Sequence, residues 1–544
     1  MTPTMGVKRK ESVMPKRMLL CSTLLIATWC SSYAAQPQGA TSTRSDSDKA
    51  SPPTNDASVV KLGEMVVTCP GDGSSASGYR NCKGDFGPLG NASIKDMPYS
   101  LNVTSGELIE NRNAHNATDA LKTVPTVAPL MSAGGYSSMH RVMVRGFSAS
   151  DQSDLRDGLC DRSFTLQPME DIERIEVLNG ASSFLYGFSS IGGTVNYVSK
   201  KPTASPLASV SAGQYSKGIR YGHADLGGPI GSEALTYRLN GYGEDGDGYI
   251  DDSEQTRGLL SGALRCTLRP DTHLTAGFYV QSLDMQGLQT YFDNSGIASK
   301  VPDAFAPTRQ YGQSWTRNES EQGVFDIGLD STLNATFALR TAYRRGEMWR
   351  EYRYVGAKLL NENGDYTEKF VDSPRQDEST SAAHALMDAR FEAMDLKHTL
   401  TFGYTHWGFT FDRGADFTAQ LGPSSVRAPV AYDVPGDSGK QNTYNDQAVH
   451  NILAGDRIEF NPTWSAVAGL NYAMYTKRTG QANPWGDTYS PRDSQEQLTP
   501  SIGLVFKPVP EISTYVSYMQ GLANGGSAPS AAANSGEVLD PSVS

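Results

Sequence analysis

Few residue patterns in this chain could carry covalent chemistry. No Ser/His/Asp order, His-Glu-x-x-His helix or Walker loop occurs. The acidic run Asp245-Gly-Asp-Gly-Tyr-Ile-Asp-Asp252 offers hard oxygens for a cation. An EF-hand loop needs glycine at its sixth position, and Ile250 stands there, so an acidic turn is the better reading. Cys69 and Cys82 bracket a Gly/Ser-rich loop. An oxidising compartment would allow them to pair; the alternative is that they are unrelated small residues, as Cys160 and Cys266 would be. No CxxC or clustered histidine accompanies them, so no metal site is expected. The sequence therefore reads as no enzyme.

The composition agrees with a scaffold of strands. The chain has 544 residues, 47 Lys+Arg against 59 Asp+Glu, and a formal charge of −12. That acidic balance argues against a nucleic-acid partner, which requires a basic face. Apolar residues are plentiful enough for a core, and the 54 glycines and 26 tyrosines suit many strands and turns. No apolar run is long enough for a helical membrane span. A membrane β-barrel remains allowed, because its alternating strands leave no hydropathy peak.

The N-terminus reads as an export signal. Lys8, Arg9, Lys10, Lys16 and Arg17 precede the apolar run Met18–Cys30, and the small residues Ser32 and Ala34 set a cleavage site that ends the signal at residue 34. Residues 35–91 read as a flexible periplasmic linker, broken by the apolar island Gly63-Glu-Met-Val-Val-Thr68. An isolated strand-former in a tether cannot offset its own ordering entropy, but it can add to the edge of a partner's sheet. Residues 92–202 read as a small α+β domain. Leu108, Ala117, Ala120, Leu121 and Val124 carry a helical period that Pro125 ends, and short strand-like runs with glycines follow. From Leu207 onward, alternating stretches recur and many end in Tyr, Phe or Trp. Tight breaks such as 268–273 alternate with long polar ones such as 284–320 and 411–445. This is the pattern of an outer-membrane barrel; a β-sandwich or propeller is the soluble alternative.

Residues 94–202 strongly resemble the plug of TonB-dependent outer-membrane receptors, of the ferric-siderophore kind. The runs that carry the resemblance are Pro98-Tyr-Ser-Leu-Asn-Val-Thr-Ser105, Ala120-Leu-Lys-Thr-Val-Pro-Thr-Val127, Val144-Arg-Gly-Phe147 and Arg156-Asp-Gly158, followed by the stretch Met169–Gly187 and by Ile191-Gly-Gly-Thr-Val-Asn-Tyr-Val-Ser-Lys-Lys-Pro202. The last run favours a siderophore over cobalamin; haem is a further alternative cargo. Glu64, Met65, Val66, Val67 and Thr68 resemble the TonB box. The chain departs from the family at Asn179-Gly180-Ala181, where Arg-Gly-Pro is usual, which implies the loss of one plug–barrel ion pair.

The resemblance implies an α+β plug domain followed by an antiparallel transmembrane β-barrel. The family barrel has about 22 strands. Residues 203–544 supply about 13 strand candidates, so the barrel is expected to be incomplete, with an open edge. The run Asn534–Pro541 resembles a mid-barrel loop and Ser544 is not the usual terminal aromatic, so the chain reads as C-terminally truncated, with a non-functional remnant as the rival reading. A receptor that signals without transport would need a further N-terminal domain, for which positions 35–62 are too short.

The resemblance also implies import of a ferric siderophore as transported ligand, with no permanently bound cofactor. TonB, with its inner-membrane energising complex, and outer-membrane lipid are the implied partners. Iron arrives already chelated, so rings and a few polar donors should line an outward pocket. Tyr136 in the loop 132–138, with His140 and Arg141, is implied as its floor; Tyr291, Phe292, Trp315, Trp349, Tyr352 and Tyr354 are wall candidates, each otherwise a girdle or loop-packing aromatic. Arg145, Arg156, Glu173, Arg174 and Glu176 are implied as plug charges facing the barrel lumen, and are otherwise surface ion pairs.

Overall fold

The structure is a computed structural model that describes residues 73–130, 142–148, 153–162, 165–295, 297, 300, 302–436, 442–482, 488–490, 492–523, 532–533 and 539–543. The export signal, the 64–68 segment, Cys69, Tyr136, His140 and Arg141 lie outside the described residues.

The first body is a sandwich of short helices on a five-stranded sheet. Its strands are β1 (Ser100–Ser105), β2 (Asp154–Arg156), β3 (Leu159–Cys160), β4 (Ile172–Asn179) and β5 (Gly193–Ser199), in the spatial order β1-β4-β5-β2-β3. The β5–β2 pairing is parallel and the others are antiparallel. The helical period read from Leu108 to Val124 becomes two short helices, α1 (Gly106–Asn111) and α2 (Ala117–Ala120). The break falls at Asn113, which adopts a left-handed φ of 51°. Each helix has a side-chain cap: Ser105 accepts from the Leu108 amide (3.3 Å) and Asn116 from that of Asp119 (2.9 Å). The buried faces of α1 and α2 meet Ile175, Val177, Val195 and Tyr197 in one apolar core.

The folded body starts upstream of the boundary expected at residue 92. Lys83–Asp85 and Asn91–Ser93 pair as an antiparallel hairpin. Phe86, at its turn, is fully buried with Tyr99, Leu101, Phe184 and Leu185. The linker reading therefore fails for this stretch, because Phe86 supplies the apolar burial that a tether lacks.

The second body is one long antiparallel wall. Its continuous path runs β6 (Leu207–Tyr215), β7 (Ile219–Ile230), β8 (Ser232–Asp247), β9 (Glu254–Arg269), β10 (Thr272–Gln286), β11 (Arg317–Thr332), β12 (Phe337–Leu359), β13 (Asp365–Ala393), β14 (Leu396–Gly414), β15 (Asn442–Glu459), β16 (Trp464–Ala482), β17 (Asp493–Val509) and β18 (Ile512–Met519). Three short strands flank this path. Thirteen strands on the path match the number of alternating stretches read from the sequence. No pairing joins β6 to β18 among the described residues. Turns such as Gly231, 270–271 and 394–395 close one end, while the longer connections, described over 287–295, 302–316 and 415–436, lie at the other.

The wall inverts the usual order of a soluble sheet. Ile452, Leu470, Leu498 and Ile502 are exposed on its outer face, while Asn451, Asn471 and Thr499 are buried against the first body. No helix of the described residues is long and apolar enough to cross a membrane, so any crossing belongs to these strands.

Candidate ligand site and the plug–wall seam

The end of the wall that carries the long breaks holds an aromatic floor. Trp407, Phe409 and Phe411 alternate along β14, so all three point to the inner face. Their rings stack in sequence at 6.2 and 5.9 Å. Phe188 of the first body lies 5.2 Å from Tyr475 of β16 and joins the same cluster. The guanidinium of Arg162 sits 3.3 Å from the Phe409 ring centroid and 3.8 Å from Glu378 on β13. Polar bonds tie the neighbouring loop to the wall. Tyr279 donates to Asp161 (3.2 Å), Gln281 to the Leu166 carbonyl (2.7 Å), and Thr165 shares a hydrogen bond with Ser320 (2.8 Å). Along β12, Arg350 lies 5.0 Å from the Tyr352 ring, which stacks on Tyr354 at 5.9 Å. Rings with a few fixed donors and acceptors can hold a bulky polar ligand.

The candidates read from the sequence divide. Tyr291 is exposed and its ring lies 6.1 Å from Tyr354, but it pairs beside Gly356 of β12, whereas Phe409 lies on the rung of Gly346, so it stands apart from the floor. Trp315 instead packs loop against loop: its indole donates to the Tyr432 carbonyl (2.8 Å) and its ring meets Phe370 at 5.4 Å. Trp349 faces away from the lumen. It has the opposite parity to Arg344 and Arg350 on β12, donates to Glu321 (3.0 Å) and lies under Arg375. Arg162, Phe188, Phe409, Phe411 and Tyr475 went unnoticed in the sequence. The alternation Trp407-x-Phe409-x-Phe411 was the available signal, but period two cannot say which face is the inner one.

The seam between the two bodies is held mainly by arginines of the wall. Arg344 is fully buried; it donates to the Arg156 carbonyl, to Asp157 (3.2 Å) and to Asp326 (3.5 Å). Arg257 pairs with Glu170 (2.5 Å) and with Glu244 (3.2 Å). Burial alone would raise the Asp157 carboxyl, but Arg344, Arg156 and bonds from Ser199 outweigh it and hold it below the usual range.

Of the five charges expected on the lumen side, Arg156 meets the wall, lying 4.3 Å from the Tyr279 ring while it pairs with Asp171. Arg174 pairs instead with Glu176 (2.8 Å) and Glu173 (3.8 Å), inside the first body. Glu176 also accepts from Asn196 (2.9 Å) and from the Asp85 amide (3.1 Å). All three lie on β4; Arg174 also lines the cavity between the two bodies, and Glu173 is exposed. Burial and the nearby Asp85 push the Glu176 carboxyl up. Arg145 is exposed at a left-handed turn with Gly146. Asn179, the departure from the family pattern, donates to Asn102 (2.7 Å) and to the Ser100 carbonyl (3.2 Å) and so stitches β4 to β1. Cys82 and Cys266 are each in a disulfide, and Cys160 is in none.

Residues 93–194 match the family described as TonB-dependent Receptor Plug Domain, and residues 267–544 match TonB dependent receptor-like, beta-barrel. The second match alone covers more than half of the chain. The chain belongs to the TonB-dependent receptor family. The sheet with its helices is thus the plug, and the wall is barrel sheet. The chain is 24% identical over 482 residues to the Ferrichrome receptor FcuA of Yersinia enterocolitica, a match that covers 84% of this chain and 60% of that protein. It is 23% identical to the Probable TonB-dependent siderophore receptor PiuA of Acinetobacter baumannii, with 78% and 61% covered. Among solved structures it resembles BauA, the ferric preacinetobactin receptor of Acinetobacter baumannii, with a TM-score of 0.77, 21% identity, and 85% and 69% coverage. The chain therefore spans about 60% of the length of these first two relatives.

Proposed function

We propose that this protein is an outer-membrane receptor that takes up a ferric siderophore, energised through TonB. The observation that carries the reading is the aromatic floor under Arg162, set between plug and wall at the long-loop end, where an external chelate would arrive. Tyr291 stands farther toward the long-loop end, on the route to the floor, and Tyr136, His140 and Arg141 belong to the plug loop that would complete it. Export removes residues 1–34; the tether presents Glu64, Met65, Val66, Val67 and Thr68 to TonB by strand addition. Cys69 is the partner assigned to Cys82. Haem and cobalamin are the rival cargoes.

The test is equilibrium binding of radiolabelled ferric ferrichrome, ferric preacinetobactin, haem and cobalamin to the folded chain in detergent. The reading expects one iron–siderophore complex to bind, with Phe409→Ala weakening it about tenfold or more. Binding of haem or cobalamin alone, or of no chelate, would overturn it.

A further inference from the structure

The outer face of the wall carries a row of donor side chains that the uptake reading does not use. His406 of β14 stands in register with His450 of β15, His450 with Met474 of β16, and Met474 with Glu496 of β17. All four share the strand parity of the exposed Tyr404, Ile452, Leu470 and Leu498, so all point away from the plug. The row marks a border. Toward the short-turn end lie Phe402, Ile452, Leu470 and Leu498, all exposed; toward the long-loop end Asp446 and Arg478 form an ion pair (3.7 Å). The row therefore sits where the apolar band gives way to polar surface, and an ion in the water at the long-loop end reaches it without passing the plug.

The two histidines are already together, with ring centroids 4.7 Å apart and planes inclined by 29°. The Tyr404 hydroxyl lies 2.6 Å from Nδ1 of His450. A metal on Nε2 of His450 would set the ring proton on Nδ1, where the phenol oxygen accepts it. Such a partner fixes the tautomer and the orientation of a ligand imidazole. Nε2 of His406 makes a long contact of 3.3 Å with the Ser381 hydroxyl, which a metal would replace. Gly408 leaves its approach open, since a Cβ there would lie 3.2 Å from that nitrogen. Neighbouring strands lie about 4.8 Å apart, so Met474 flanks His450 on one side as His406 does on the other. Glu496 is engaged by Tyr472, whose hydroxyl donates to it. Among the described residues no three of His, Cys, Asp and Glu are grouped to hold a metal, so the third donor of this row is a thioether. Imidazoles joined by a thioether select copper over hard cations such as magnesium or calcium.

We propose that His406, His450 and Met474 form a copper site on the outer face of the wall, with Tyr404 as the positioning residue behind His450. Cu(I) is the form that the soft thioether favours. Bound there, the ion ties three neighbouring strands together at the edge of the apolar band. It is not cargo, because the wall separates it from the aromatic floor. The site stands whether or not a ferric siderophore binds that floor.

The test uses the folded full chain in detergent, with free thiols blocked by a maleimide, titrated without oxygen against the coloured Cu(I)–bicinchoninate complex. The parent should withdraw one copper per chain. His450→Phe should lose about a hundredfold or more in affinity, and Tyr404→Phe and Met474→Leu about tenfold each. X-ray absorption of the loaded parent should show nitrogen and sulfur around the copper, and that of Met474→Leu nitrogen without sulfur. These side chains face away from the plug, and an unchanged circular dichroism spectrum checks each fold. If His450→Phe does not fold, the parent's absorption spectrum decides by itself. No withdrawal by the parent, or equal withdrawal by parent and His450→Phe, would overturn the site. Copper bound without sulfur would overturn the thioether ligand and with it the choice of metal.

Discussion

The plug and the wall bury opposite things. In the plug, Ile175, Val177 and Val195 are fully buried and its edges carry the polar groups, as in any water-soluble domain. In the wall, the buried inner face holds Asn318, Gln376 and Thr499, and the exposed outer face holds Ile452, Leu470 and Ile502. The plug is thus stabilised by removing apolar surface from water. The wall gains from its ladders and, on its outer face, only when lipid replaces water. The seam belongs to neither regime, because there buried charge must find buried counter-charge.

Mutations can break this contrast in order of size. The largest effect should come from the plug core: Ile175→Ala should cost about 2–5 kcal/mol by transfer and cavity terms, whereas Ile452→Ala on the outer face should cost well under 1 kcal/mol in detergent. Denaturant unfolding of the two variants measures both. Equal losses would show that the outer face is packed and not lipid-facing. Charge gives the complementary asymmetry: Leu470→Arg should cost about 2–4 kcal/mol in vesicles if that position lies near the bilayer midplane, with a far smaller loss in urea-titrated micelles.

The seam should respond next. Arg344→Met leaves Asp157 and Asp326 without their shared cation; both carboxylates are about one-third exposed, which tempers the loss to about 2–3 kcal/mol. Hydrogen exchange of the amides of β2 reports it. If exchange there is unchanged, the wall is not what holds this part of the plug.

Acid should act in opposite senses on two plug carboxylates. Asp157 is held below its ordinary value of 3.8, so its contribution is present above that pH and is lost as pH falls through the depressed folded value. Glu176 is raised from 4.5, so its contribution is present below that pH and is lost as pH rises through the raised folded value. Asp157→Asn should flatten the acid limb of a stability profile and Glu176→Gln the limb above 4.5. Identical profiles for parent and variants would contradict the two environments described. The smallest effect concerns the site: Trp349→Phe, on the outer face, should leave chelate affinity within about twofold, against the tenfold or greater loss for Phe409→Ala.

How much of this was legible beforehand can be argued residue by residue. The alternation from Leu207 onward pointed to the wall and to about 13 strands, the number on its continuous path but short of the sheet's 16, because a strand with two different solvents on its faces must write period two into its sequence. The glycine-punctuated runs between 98 and 202 identified the plug, because turns such as those at Gly146 and Gly187 take left-handed backbone that few residues tolerate. Period two is symmetric, however. It made Trp349 and Phe409 look alike, and only the register across β12, β13 and β14, fixed by which side meets the plug, sends one ring outward and the other into the floor. Tertiary structure also chose the partners of charge. Arg174 and Glu176 are two apart on one strand and so share a face, where they pair with each other while Arg174 also lines the cavity toward the wall. Arg344 is an ordinary residue of an alternating strand until the fold brings Asp157 against it from far away in the chain. The local alphabet settled which segments are strands and turns, since that depends on near neighbours. The floor and the seam depend on contacts made across hundreds of residues, and no local pattern encodes them.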